Sequence, residues 1–261
     1  MTKQIKYPND VSYKDCVGKV CKSKSSGDFK ILKYNDKKNV EIRFLKTGFE
    51  TTVQLGSIRN GYVKDRYAPS VYGVGVVGTK YPIRVNGVLT KEYVLWQSML
   101  KRCYSDDFKK KHPTYEYCEV SDKFKSYEYF YEWCHKQIGF CNEGFELDKD
   151  LLVKGNKVYS ESTCVFIPSE INLLLIKREA SRGKHLIGVS WSNTNKAFMA
   201  QVSKNKGKSE HLGFFNTELE AFNVYKKAKE SFVKEQAEKW KGKIDDRAYN
   251  ALMNYEVHID D

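Results

Sequence analysis

Apolar positions along the chain fall into three kinds of stretch. From Val17 to Val53 they come in short β-rich runs broken by turn residues. Phe29-Lys30-Ile31-Leu32-Lys33-Tyr34 leads through Asn35-Asp36-Lys37-Lys38 into Val40-Glu41-Ile42-Arg43-Phe44, which alternates with period two. After a Thr47-Gly48 turn, Thr51 to Leu55 supplies another strand. Ser23 to Gly27 reads as a flexible connection. This part predicts a compact antiparallel sheet or small barrel. Two helical patterns follow. Over 91–104, Val94, Leu95, Met99 and Cys103 share a side. Over 122–137, Phe124, Tyr127, Phe130, Tyr131 and Cys134 recur at helical spacing, with Ser121 or Asp122 as the cap. Both sets read as core.

The next stretch predicts strand, loop, strand, helix. Phe145 to Val153 is strand-like, Lys154-Gly155-Asn156-Lys157 turns, Cys164 to Ile167 is a second strand, and Pro168-Ser169 opens a helix through Leu175. Further on, Leu186–Trp191, Ala197–Val202 and Glu210–Phe215 predict three strands. Thr217-Glu218-Leu219-Glu220 is a capping box, and Ala221, Phe222, Tyr225 and Ala228 form the buried face of the helix it starts. Residues 233–261 continue that helix into a polar tail with no assigned role. The fold class is α+β and multidomain. The expected parts are a basic β-rich accessory module over 1–88, a central core over 89–178, and a sheet-plus-helix domain over 179–261.

Composition narrows the function classes. The 261 residues are 41% hydrophobic and 30% charged, enough to bury real cores. No apolar run approaches the roughly 18 residues of a membrane helix, and no apolar signal region follows the N-terminus. A membrane-spanning or secreted protein is not expected; a cytoplasmic one is. Seven cysteines without a C-x-x-C pair suit free thiols. Net charge is +12 and unevenly spread: residues 1–90 hold 17 basic and 7 acidic side chains, 91–176 hold 12 and 14, and 177–261 hold 16 and 12. Basic flanks suit phosphate contact, and a carboxylate-rich centre suits a hard cation. The glycines of Tyr72-Gly73-Val74-Gly75-Val76-Val77-Gly78 lack the spacing of a dinucleotide loop.

In the central core two carboxylates, Asp148 and Asp150, end the first strand. Asn156 lies in the loop, and Asn172 in the first turn of the helix. Carboxylate and amide oxygens are suitable ligands for one divalent cation. The run LDKDLLVKGNKVYSESTCVFIPSEIN, within residues 93–176, resembles the HNH endonucleases encoded by phages, whose heart is a ββα-metal finger. The resemblance implies that Asp148 and Asn172 ligate Mg²⁺ or Mn²⁺, with Asp150 a candidate third ligand. It implies that Asn156 orients the base. Lys149 stands where the family has its general-base His, and Thr163 where it has an Asn in the second strand. An unperturbed lysine, with a pKa of about 10.4, is protonated at neutral pH and cannot take a proton from water. Four readings stay open: a base tuned by the metal, a cation on the scissile phosphate, water activation through Asp150, or a site that no longer cuts.

The C-terminal segments IGVSW, AFMAQV and HLGFFNTELEAFNVYKKA resemble the APETALA/ethylene-response-factor DNA-binding domain. That resemblance implies a three-stranded sheet whose outer face and rim meet DNA. The candidates there are Arg178, Arg182, Lys184, Trp191, Lys196, Lys204, Lys206 and Lys208. Together the two resemblances imply a phage homing-type, metal-dependent endonuclease that cuts or nicks double-stranded DNA, leaving 3′-hydroxyl and 5′-phosphate ends. No symmetric dimer element is visible in the sequence, so a monomer is expected, in the cytoplasm of a bacterial host if phage-encoded. The rival expectation is a degenerate descendant that binds DNA as a repressor or interference factor. For a third, an RNA-binding or protein-inhibiting factor, the sequence offers only basic charge.

Overall fold

The computed structural model describes residues 9–13, 15–176, 184–205 and 208–261, with backbone alone for Asn205 and Lys208. It is a mixed α and β chain with several small sheets, in two compact units, Met1–Glu132 and Trp133–Asp261. No helix among the described residues is long and apolar enough to cross a membrane. All seven cysteines are free.

In the first unit, strands β1 (Val20–Ser23), β2 (Gly27–Asp36), β3 (Asn39–Phe44) and β4 (Glu50–Val53) form one antiparallel meander. The period-two runs explain it: Phe29 and Ile31 on β2 and Val40, Ile42 and Phe44 on β3 are all fully buried. Helix α1 (Leu55–Asn60) begins where a strand was expected to end, and it closes the core with Leu55 and Ile58. The Ser23–Gly27 connection is a tight hairpin turn. Ser23 is buried, its hydroxyl donates to the Val63 carbonyl at 2.6 Å and it accepts from the amides of Ser25 and Ser26.

A two-residue hairpin, β5 (Arg84–Val85) and β6 (Val88–Leu89), leads to α2 (Lys91–Tyr104), which Thr90 caps. The buried stripe of α2 is Tyr93, Trp96, Met99, Leu100 and Cys103. Val94, expected in the core, is 44% exposed because the stripe is set one position round the helix. Gly75 lies flat on this stripe: a Cβ there would stand 2.5 Å from Leu100 and 2.8 Å from Trp96. After α3 (Asp106–Lys111) and β7 (Glu119–Val120), the helix expected over 122–137 is broken. A 3₁₀ turn, Lys123–Lys125, ends at the extended Ser126, and α4 (Tyr127–Cys134) follows.

The second unit opens on β8 (Phe145–Asp148). With β9 (Val158–Tyr159) between them in sequence, β8 pairs antiparallel with β10 (Val165–Pro168), placing Asp148 opposite Val165. Helix α5 (Ser169–Leu175) follows directly. The strand expected to reach Val153 stops at Asp148, because the Asp148 carboxylate turns the chain by accepting from the next amides. Strands β11 (Val189–Ser192), β12 (Ala197–Asn205) and β13 (Lys208–Phe215) form the second antiparallel sheet.

Helix α6 (Glu218–Trp240) starts at a complete Thr217–Glu220 capping box and serves both parts of the unit. Its first half, through Phe222 and Tyr225, packs with Val202 of β12 and with Val257. Its second half, through Phe232, Val233 and Ala237, packs on Val165, Ile167, Ile171 and Leu174 of the ββα segment. Helix α7 (Asp246–Met253) completes that core with Ala248 and Leu252. Buried Lys229 on α6 donates to the Leu174 carbonyl at 2.6 Å, satisfying a backbone group at the end of α5. Burial holds its pKa down to about 8.

Two outcomes follow. Phe232→Ala should cost about 3–5 kcal/mol in urea unfolding, as buried Phe truncations do, and a loss under about 1 kcal/mol would contradict the shared core. Lys229 has a folded pKa of about 8 against an ordinary 10.5, so in that window the unfolded chain binds more protons. Its contribution is full above the unfolded value and is lost as pH falls towards 8. The stability of the wild type relative to Lys229→Met should therefore rise by about 1–3 kcal/mol between pH 8 and 10.5. A flat difference would contradict a desolvated ammonium.

Candidate functional site

The loop between β8 and β10 is built from its own polar side chains. Asp148 Oδ1 accepts from the amides of Asp150 at 2.9 Å and Leu151 at 2.7 Å. Asn156 Nδ2 donates to the carbonyls of Lys149 at 2.7 Å and Val158 at 2.8 Å, and its Oδ1 accepts from the Val158 amide at 3.1 Å. Lys149 returns the contact, its ammonium donating to the Asn156 carbonyl at 2.8 Å. Thr163 donates to the Val158 carbonyl and holds the far side of the same turn. Residue 149 is thus fixed through its backbone by Asn156, whatever side chain it carries.

That side chain points inward. Lys149 is 6% exposed, pairs with Asp150 Oδ1 at 2.5 Å and lies 5.6 Å from the centre of the Tyr159 ring. The expectation of a lysine reaching out to a phosphate does not match this placement, because a residue just past the strand end is drawn under the returning loop. Asp150 is exposed and shares its charge with Lys149. Asp148 is half-buried, and burial pushes its carboxyl above the usual range. The Asp150 charge adds to this, while the Leu151 and Asp150 amides and the Lys149 ammonium oppose it.

Asp148, Asp150 and Asn172 line one cleft of about 600 Å³. Asn172 donates its amide N–H to Glu146 Oε2 at 2.5 Å, which leaves its carbonyl oxygen as an acceptor. Among the described residues no group of three His, Cys, Asp or Glu side chains is arranged to hold a metal ion. Asp148 and Asn172 bring one carboxylate and one amide oxygen to the cleft, hard donors of the kind that a cation keeping several waters accepts. The sequence did not reveal the C-terminal residues that also line this cleft: Ala251, Asn254, Tyr255, Glu256, His258 and Asp261. The tail's apolar Val257 and Ile259 amid polar neighbours were the signal, and of the two Val257 is buried.

On the C-terminal sheet, the register decides the faces. Ala200 is buried against α6, so its row, Val189–Ala200–Gly213, lies on the helix side, and so does the row Trp191–Phe198–Phe215. Trp191 is 44% exposed and packs edge-on against Phe198 at 4.9 Å, at the rim of the helix side and not on the outer face. Lys204 pairs with Glu210 at 2.5 Å and lies 5.8 Å from the centre of the Phe232 ring of α6. Lys196 sits in the β11–β12 turn with φ 47°, and Lys184 is exposed before β11. Arg178, Arg182 and Lys206 lie outside the described residues, and so does the side chain of Lys208. The outer rows hold Ser190, Met199 and Phe214, then Gln201 and His211, a largely neutral surface.

Comparison of the chain with protein-family models, curated proteins and solved structures finds no match.

Asn156→Ala removes three bonds that close the loop. It should lower unfolding stability by about 1–3 kcal/mol and speed amide exchange at Val158, whose amide its Oδ1 holds. Unchanged exchange there would contradict the clamp.

Proposed function

We propose that the protein is a metal-dependent endonuclease of double-stranded DNA. The observation that carries the proposal is the ββα loop. A turn-forming Asp148 and a helix-borne Asn172 share one cleft, and Asn156 clasps the backbone of the residue after the aspartate. Oxygen donors and a braced backbone of this kind suit phosphodiester hydrolysis at one cation. Mg²⁺ or Mn²⁺ held by Asp148 and Asn172 would supply Lewis-acid stabilisation of the phosphate and a more acidic water. The chain's own residues then have separable tasks. Asp148 presents a carboxylate whose geometry is fixed by two backbone amides. Asn156 keeps the 148–150 turn from opening. Lys149, neutralising Asp150 from inside, limits the negative charge that an incoming phosphate meets.

Binding is assigned to the basic segments and to the C-terminal sheet. The 17 basic residues within 1–90, and Lys184 and Lys196 near β11, suit phosphate contact, which holds a duplex without reading it. The neutral outer rows of the sheet, with Gln201 and Ser190, suit base edges. The protein works as a monomer in the cytoplasm, that of a bacterial host if the gene is phage-borne.

One observation favours a second reading. An inward, paired Lys149 is no base, so a protein with nothing to replace it would bind DNA without cutting, as a repressor or interference factor.

Supercoiled plasmid with Mg²⁺ or Mn²⁺ tests the choice. Nicked or linear product should form, should vanish with EDTA, and should fall at least about 100-fold in Asp148→Ala while duplex binding persists. Intact plasmid under every condition, with binding retained, would establish the second reading.

A further inference from the structure

We infer that His258 is the proton acceptor that position 149 lacks, delivered into the cleft by the C-terminal segment. The inference rests on the endonuclease reading. His258 is exposed and lines the same cleft as Asp148, Asp150 and Asn172.

Its position is built. Val257, immediately before it, is 1% exposed, and both its backbone groups are bound by α6. Lys226 donates to its carbonyl at 2.7 Å, and its amide donates to Glu230 at 2.9 Å. On the other side, buried Asp261 accepts from the His258 amide at 2.9 Å and pairs with Lys154 at 2.7 Å. Lys154 belongs to the loop that Asn156 closes. The segment is therefore tied at one end to the helix that completes the ββα core and at the other to the loop carrying Asp148. An imidazole is the side chain whose ordinary pKa suits proton uptake near neutrality, and Lys149 is sequestered from that role.

In the step assigned to it, an imidazole nitrogen accepts a proton from water and the water oxygen bonds to phosphorus. The phosphorus–O3′ bond then breaks, its electron pair leaving on O3′, which takes a proton from solvent. The products are a 5′-phosphate and a 3′-hydroxyl.

The test uses the full chain on supercoiled plasmid with Mn²⁺, comparing wild type, Asp148→Ala, His258→Ala and His258→Ala with added imidazole. Duplex affinity in EDTA and thermal melting are measured on each. His258→Ala should nick about 100- to 10,000-fold more slowly, the range of a lost general base. Its affinity and melting should stay at wild-type values, and imidazole should restore part of the rate in that variant but not in Asp148→Ala. Wild-type nicking by His258→Ala, or a slow rate that imidazole leaves untouched, overturns the assignment while the endonuclease reading stands. A wild type that binds but never nicks overturns both.

Discussion

Two strands of four residues and a helix of seven cannot close a hydrophobic core unaided, and that shortage governs the second unit. Folded segments of this size depend on metals, disulfides or neighbours. Here the neighbours are α6 and α7. Val165, Ile167, Ile171 and Leu174 are buried against Phe232, Val233, Ala237, Ala248 and Leu252, and Lys229 completes the hydrogen bonding at the end of α5. The cleft lies between the loop of the ββα segment and the chain that follows α7, so its shape depends on the same packing. Because the other half of α6 carries the three-stranded sheet, one rigid element spans the proposed cutting and reading parts.

The loop obeys a second constraint. A lysine taken out of water needs a counter-charge and acceptors, and Lys149 finds Asp150 and the Asn156 carbonyl. The ion pair keeps the Asp150 carboxylate occupied, and Asp148 and buried Asp261 are the desolvated acids of the same cleft. As placed, Lys149 is turned away from the cleft opening, while Asp148 lines the cleft.

Much of the fold is legible in the sequence because local signals and tertiary demand agree. The period-two run Val40–Phe44 became β3, and the Thr217–Glu220 box starts α6 where its spacing says. The order strand, loop, strand, helix over 145–175 was also readable. What escaped depended on partners distant in sequence. Val94 is apolar yet exposed, because the stripe of α2 is set by where Phe124 and Tyr127 pack. Trp191 looks like a surface reader until the register places it in the row of Phe198. The tail after Met253 looks polar and unconstrained. Its Val257 anchor and its Asp261–Lys154 pair show only once α6 and the loop are brought together. The candidate site was therefore half readable: the oxygen donors were visible, and the C-terminal residues lining the same cleft were not.

The central claim is that Asp148 and Asn172 form a site for a hard divalent cation. The most direct measurement is Mn²⁺ titration of the isotopically labelled full chain, following paramagnetic broadening of backbone amides, with Asp148→Ala as control. The account predicts that amides at Asp148, Asp150, Asn172 and His258 broaden first and that the variant loses this pattern. Broadening scattered over surface carboxylates, with residues 145–176 no more affected than the rest, would contradict it.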